Sequence, residues 1–87
     1  MSLSTTSLNP HYLARIKAAV LRAVAKANRP NAPHGVGQVE VYNRRKRPSL
    51  LVVARKRGGF EIFDQRDRDV TGLIKSALVA YHKGAMQ

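Results

Sequence analysis

The chain contains no cysteine and no tryptophan, so neither a disulfide framework nor a thiolate metal site is open to it. Its three histidines, His11, His34 and His82, lie far apart without metal-ligand spacing, so surface or packing roles are expected and no metal. Long hydrophobic runs are missing as well. The longest are of five residues, such as Leu50 to Ala54, which excludes a membrane-spanning helix. The first residues lack the basic-then-apolar layout of a signal peptide, and the want of cysteine suits a reducing compartment; a cytoplasmic location is expected. Acids are the scarcest charged class: five stand against sixteen Lys and Arg, a formal charge of +11 on 87 residues. Such a surplus favours polyanionic partners and raises encounter rates at low salt, without dictating a fold.

Catalytic patterns are equally thin. Asp64, Asp67 and Asp69 in "FDQRDRD" are oxygen ligands of the kind Mg²⁺ favours, but Arg66 and Arg68 between them oppose a cation. A strand end followed by a helix cap is the expected role of these acids, with Asp67 as the cap and Asp69 at the positive end of the helix dipole. No serine stands in a nucleophile-elbow context, and "GVG" is too short to cradle a phosphate. No catalytic residue, no cofactor and no enzymatic activity are therefore expected.

At 44% apolar the chain is too hydrophobic for a disordered basic tail, and its length allows one small core. "MSLSTTSL", residues 1–8, is polar and aperiodic and is expected to be a flexible tail. Asn9 and Pro10 then form a helix start, with the stop expected near Asn28 before Pro30. At about 100° per residue Tyr12, Leu13, Ile16, Val20, Ala23, Val24 and Ala27 share one arc, the core stripe of an amphipathic helix. Arg15, Arg22, Lys26 and Arg29 gather nearly opposite, while Lys17 lies on the apolar side and must snorkel. This helix carries no acid, whereas a face serving solubility alone more often mixes signs.

After the Pro- and Gly-containing connection "NAPHGVGQ" the period becomes 2. In "QVEVY" Val39 and Val41 point one way and Gln38, Glu40 and Tyr42 the other. "NRRKRP" is a turn, and "SLLVVAR", apolar on both parities, is the central strand. A second turn lies in "RKRGGF". Centred on Arg57 and Gly58 it pairs Val53 with Ile62 and Val52 with Phe63; centred on Gly58 and Gly59 it pairs Lys56 with Glu61. The first is preferred, because it matches apolar with apolar. Val70, Leu73, Ile74, Ala77, Leu78 and Tyr81 then trace a second helix, ending at Lys83 and Gly84, with Gly72 marking a close approach to another backbone.

The expectation is an α+β fold: a single small α-β-β-β-α domain over residues 9–84, a three-stranded antiparallel meander packed with two amphipathic helices. Residues 85–87 form a short tail. Both strand parities are apolar, with Leu51, Val53, Phe60 and Ile62 assigned to one side and Leu50, Val52, Ala54 and Phe63 to the other. A face left uncovered has three readings: homodimerisation through it, helices split across both faces, or bases stacked on Tyr42 or Phe63.

The element order resembles that of double-stranded-RNA-binding domains, whose Lys-Lys-x-Ala-Lys signature opens the second helix. Here "DRDVTGL" puts acids in that place. Three strands followed by a helix are also similar to the sheet-type DNA-binding modules of phage and transposon integrases, which lay a sheet in the major groove.

Arginine dominates the two hairpin clusters, Arg44, Arg45, Lys46, Arg47 and Arg55, Lys56, Arg57, and its planar fork suits phosphates and guanine edges. These seven, with Arg15, Arg22, Lys26 and Arg29, are the expected contacts to nucleic acid, DNA being favoured over RNA. The alternative is a small basic inhibitor or adaptor, of phage or mobile-element type, bound to an acidic surface of host nucleic-acid machinery.

Overall fold

In the computed structural model, which describes residues 9–85, the chain runs α1 (Pro10–Ala27), a 3₁₀ turn (Pro33–Gly35), β1 (Val36–Tyr42), β2 (Pro48–Arg55), β3 (Gly59–Asp64) and α2 (Thr71–Ala85). The expected α-β-β-β-α order is thus observed, with one antiparallel sheet in the order β1-β2-β3. Of the two expected tails, residues 1–8 and 86–87 lie outside the described residues, and Ala85 ends α2.

Helix α1 starts as its sequence dictates. Asn9 Oδ1 accepts the Tyr12 N–H at 2.8 Å, and Pro10 occupies the first helical position, where a missing N–H costs nothing. At the other end the Asn28 N–H and Nδ2 both donate to Val24 O, at 3.1 and 2.8 Å, which stops the helix two residues before Pro30.

Both helices cover the same sheet face. Leu13, Ile16, Ala19, Ala23 and Ala27 of α1 and Ile74 and Ala77 of α2 form one buried cluster with Val41, Leu50, Val52, Ala54 and Ile62. The reading that splits the helices across the sheet is therefore wrong. Ile16, Val52, Ile62 and Ile74 are fully buried, each worth about 1.5–3 kcal/mol by transfer from water.

The β2–β3 pairing departs from both expected registers. Val52 faces Ile62, Val53 faces Glu61 and Arg55 faces Gly59, so three residues, Lys56 to Gly58, connect the strands instead of two. The turn is closed by the Gly58 N–H on Arg55 O at 3.0 Å, with Arg57 at φ 63°. A one-residue slip exchanges faces. Phe60 and Ile62 therefore join Leu50, Val52 and Ala54 under the helices, while Phe63 joins Leu51 and Val53 outside. The gain is a fully buried Ile62, together with an Arg55–Glu61 ion pair on the outer face.

Two further expectations are corrected. The cap of α2 is not Asp67, which sits at φ 59° in the preceding turn; Asp69 Oδ1 accepts the Thr71 N–H at 2.9 Å, because the helix begins later than expected. Nor does Gly72 mark a close approach, since a Cβ there meets nothing within 4 Å. The tight crossing is at Gly37, where a Cβ would lie 2.1 Å from Ala23 O and 2.6 Å from Ala27 N. Gly37 lets the α1 backbone rest directly on β1.

That crossing sets the roll of α1. Ala19 joins Ala23 and Ala27 as a small-residue track over the sheet, and Val24, expected in the core stripe, turns out to 37% exposure alongside Leu21 at 63%.

Candidate nucleic-acid interface

The roll of α1 relocates its cations. With the core stripe displaced toward Ala19, Arg15, Arg22 and Lys26 lie on the flank above the open edge of β1 and not opposite the sheet. Arg15 Nη1 donates to Tyr42 O and Lys26 Nζ to Gln38 O, each at 3.4 Å. Both carbonyls belong to the edge that pairs with no strand, and cationic side chains are a common means of blunting such an edge. From Arg15 to Lys26 the flank extends about 16 Å along the helix axis. Lys17 is exposed, as snorkelling requires.

The β1–β2 turn brings more cations to the Arg15 end. Asn43 organises it: its Oδ1 accepts the N–H groups of Arg45 and Arg47, at 2.9 and 3.2 Å, its own N–H donates to Arg47 O at 3.0 Å, and its carbonyl accepts the Lys46 N–H at 3.0 Å. Lys46 takes φ 60°. Arg44 to Arg47 are consequently exposed on a turn that Asn43 closes with its own side chain and backbone.

Where β1 meets this turn the ladder slips. Val41 faces Leu50 and Tyr42 faces Pro48, which leaves Ser49 as an extra residue on β2. Its hydroxyl donates to Val41 O at 3.0 Å and accepts from the Tyr12 hydroxyl of α1. Burial pushes the Tyr12 hydroxyl above its ordinary pKa, against the opposing pulls of Ser49 and Arg15, so it stays neutral as a donor. This bond pins the start of α1 to the turn and sets Arg15 beside Arg44 and Arg45 around a hollow of about 470 Å³. A second hollow, about 280 Å³, continues along the edge between Arg15, Arg22, Glu40 and Tyr42.

The remaining expected contacts lie elsewhere. Arg29 follows α1, and Lys56 and Arg57 cap the β2–β3 hairpin at the other end of β2, where the Lys56 N–H donates to Gly35 O at 2.8 Å. Arg55 is paired with Glu61 on the outer face, which removes it from the set of unneutralised cations. The structure thus joins Arg15, Arg22, Lys26, Arg44 and Arg45, keeps Lys46 and Arg47 exposed on the same turn outside the hollow, and leaves Arg29, Lys56 and Arg57 as a separate group.

The acids are segregated from this band. Four of the five, Glu61, Asp64, Asp67 and Asp69, lie on β3 and the link to α2. Asp64 accepts the N–H groups of Arg68 and Arg66, both at 2.9 Å, and pairs with the Arg68 guanidinium at 2.8 Å. These hydrogen bonds, the Arg68 N–H foremost, hold its carboxyl below the usual range; the Thr71 hydroxyl and N–H do the same for Asp69. Bonds from the link also occupy the far edge of β3: Val70 N–H to Ile62 O, Arg68 O from Asp64 N–H, and Thr71 Oγ1 from Ile62 N–H. Asp64 finishes the strand and Asp69 starts the helix, and their hydrogen bonds hold the link that makes this closure.

His11, His34 and His82 are all exposed. Among the described residues no helix is long and apolar enough to cross a membrane, and no group of three or more His, Cys, Asp or Glu is placed to hold a metal ion. No family model, curated protein or solved structure matches the chain.

Proposed function

We propose that this chain binds nucleic acid, holding the sugar-phosphate backbone along the open β1 edge with Arg15, Arg22, Lys26, Arg44 and Arg45. One observation carries the reading. Cations from α1 and from the β1–β2 turn, distant in sequence, converge on one edge, while four of five acids lie across the sheet. None of the five cations is in either ion pair of the described residues, and the long bonds of Arg15 and Lys26 to β1 carbonyls each use one donor and leave the charge unneutralised, so each can meet a phosphate. The β2–β3 turn and Arg29 add a weaker field at the other end. The proposal assigns no catalytic step, and the cytoplasm is the expected place of action.

A second copy is not required by this reading. Val53, at the centre of the open sheet face, is only 9% exposed, and Gln38, Glu40, Arg55 and Glu61 surround it with polar groups. A homodimer through that face would also have to bring together two chains of charge +11.

Salt titration of binding tests the proposal, with duplex and single-stranded DNA and RNA followed by fluorescence anisotropy. Five phosphate contacts give a log-log slope of about −4.5 on duplex DNA, and Arg15→Ala with Arg22→Ala lowers it to about −2.7. Arg44→Ala with Arg45→Ala lowers it as much. DNA is expected to bind more tightly than RNA. Binding that vanishes by about 0.15 M salt, with slopes indifferent to these substitutions, refutes the proposal and redirects the band to an acidic protein surface, to be sought by pull-down.

A further inference from the structure

The one exposed Tyr or Phe side chain among the described residues stands at the edge of the cationic band. Tyr42 is 48% exposed, whereas Tyr12, Phe60, Phe63 and Tyr81 are each at least half covered by the fold. Its backbone is held from both sides, by Arg15 on its carbonyl and by the pairing with Pro48 across the β1–β2 slip, so the ring projects from a fixed base. An aromatic ring beside guanidinium groups is the arrangement that holds single strands: the cations follow the phosphates and the ring stacks a base.

Glu40 makes the site more specific. It lies two residues before Tyr42 on β1, on the open face of the sheet opposite Leu51, borders the smaller hollow at the strand edge with Tyr42, Arg15 and Arg22, and is in neither ion pair. A carboxylate beside a phosphate path repels the backbone, so its favourable partner is a group that offers donors. An unpaired base does so. Guanine presents two adjacent donors on its Watson–Crick edge, the ring N–H and the exocyclic amine, which match the two oxygens of one carboxylate. Adenine and cytosine set an acceptor beside their amine, and thymine flanks its N–H with two acceptors. In a duplex these edges are occupied by the complementary base.

We infer that Tyr42 and Glu40 form a pocket for one unpaired guanine of a single strand whose phosphates run along the α1 flank. The inference rests on the nucleic-acid reading above and adds the form and the base. The hollow, about 280 Å³, is at the small end of ligand sites and so is matched to one base, not to a stacked pair.

The test is anisotropy of the full chain with an oligothymidine carrying one central dG, the all-dT strand of equal length, and the dG strand in duplex form, with affinities compared at moderate salt and slopes taken from a salt titration. The wild-type chain is expected to favour the dG strand over all-dT by about fivefold and over the duplex. Tyr42→Ala should weaken single-strand binding by about tenfold, a typical loss for one stacking ring, and leave duplex binding within twofold. Tyr42→Phe should retain the affinity, and Glu40→Gln should erase the preference for dG without changing the salt slope. If Tyr42→Ala leaves single-strand affinity unchanged while Arg15→Ala with Arg22→Ala still lowers the slope, the pocket is wrong and the backbone grip stands. If no nucleic acid binds at moderate salt, both fail together.

Discussion

Gly37→Ala should separate α1 from β1, and its cost can be worked from geometry. The added Cβ would lie 2.1 Å from Ala23 O, 2.6 Å from Ala27 N and 2.8 Å from the Lys26 Cβ. The shortest of these is about 1.3 Å short of ordinary van der Waals contact, and two of the three atoms belong to helix backbone, so no rotamer change relieves the clash. The C-terminal half of α1 must retreat. A gap of 0.5–1 Å already forfeits a quarter to a half of each dispersion contact across it, and the contacts at risk are those of the buried Ala23 and Ala27. Overpacking of this kind costs about 1–3 kcal/mol, and an unrelieved backbone clash belongs at the upper limit. For a chain of 87 residues, whose whole stability is about 4–13 kcal/mol, a loss of ~3 kcal/mol is a large share. In urea, with an m value of about 1.2 kcal/mol/M, the midpoint should fall by about 2.5 M at unchanged m. Gly72→Ala is the internal control: its Cβ meets nothing within 4 Å, and a helix position should gain several tenths of a kcal/mol. A Gly37→Ala midpoint within ~0.4 M of the parent refutes the close crossing and, with it, the roll of α1 that lines its cations along the β1 edge.

A second set of predictions concerns acid. Asp64 and Asp69 both have folded pKa values below the ordinary 3.8, so the unfolded chain takes up protons first as pH falls. The stability they contribute is present above that ordinary value and is lost as pH drops through their folded values; the midpoint in urea should begin to decline as pH falls through about 4 and go on falling below it. Asp64→Asn and Asp69→Asn should each start less stable at neutral pH and show a shallower acid limb. An acid limb as steep in both variants as in the parent means that these hydrogen bonds do not govern the link between β3 and α2.

Most of the fold was legible because hydrophobic periodicity and turn chemistry are local. The alternation of Val39 and Val41 against Gln38, Glu40 and Tyr42, the Val70 to Tyr81 stripe, and the Asn9–Pro10 start each depend on neighbours within a few residues. The β2–β3 register was not legible, because "RKRGGF" accommodates two- and three-residue turns alike and β2 is apolar on both parities. What selects the longer turn is burial of Ile62 in the cluster that Ile74 and Ala77 complete, which forms only after α2 docks. Gly37 did carry a signal: a glycine two residues before a strong alternation can mark a close backbone approach, but "GVG" reads equally well as loop. The convergence of Arg15 with Arg44 and Arg45 had no sequence signal at all. It depends on the Tyr12–Ser49 hydrogen bond across 37 residues of separation and on the roll that Gly37 permits.

The α1 flank can be asked directly whether it serves the fold or a partner. Arg22 and Lys26 are four residues apart on one helix face, a like-charge spacing that costs about 0.2–0.5 kcal/mol. Arg22→Glu turns the pair into Glu followed by Lys at the same spacing, the better of the two orientations, with a gain of similar size. Summed along the helix, and less a small solvent-screened repulsion from Glu40 across the hollow, the substitution should stabilise the fold by up to about 0.4–1 kcal/mol, since Arg22 is exposed and lies outside the core cluster. The same change puts an acid in the middle of the proposed phosphate path, between Arg15 and Lys26, and should weaken binding beyond the loss from Arg22→Ala. Opposite signs in the two assays, urea midpoint up and affinity down, mean that the acid-free flank is held against the interest of stability, as a binding surface requires. Loss of stability with affinity unchanged places Arg22 in the service of the fold and removes the flank from the interface.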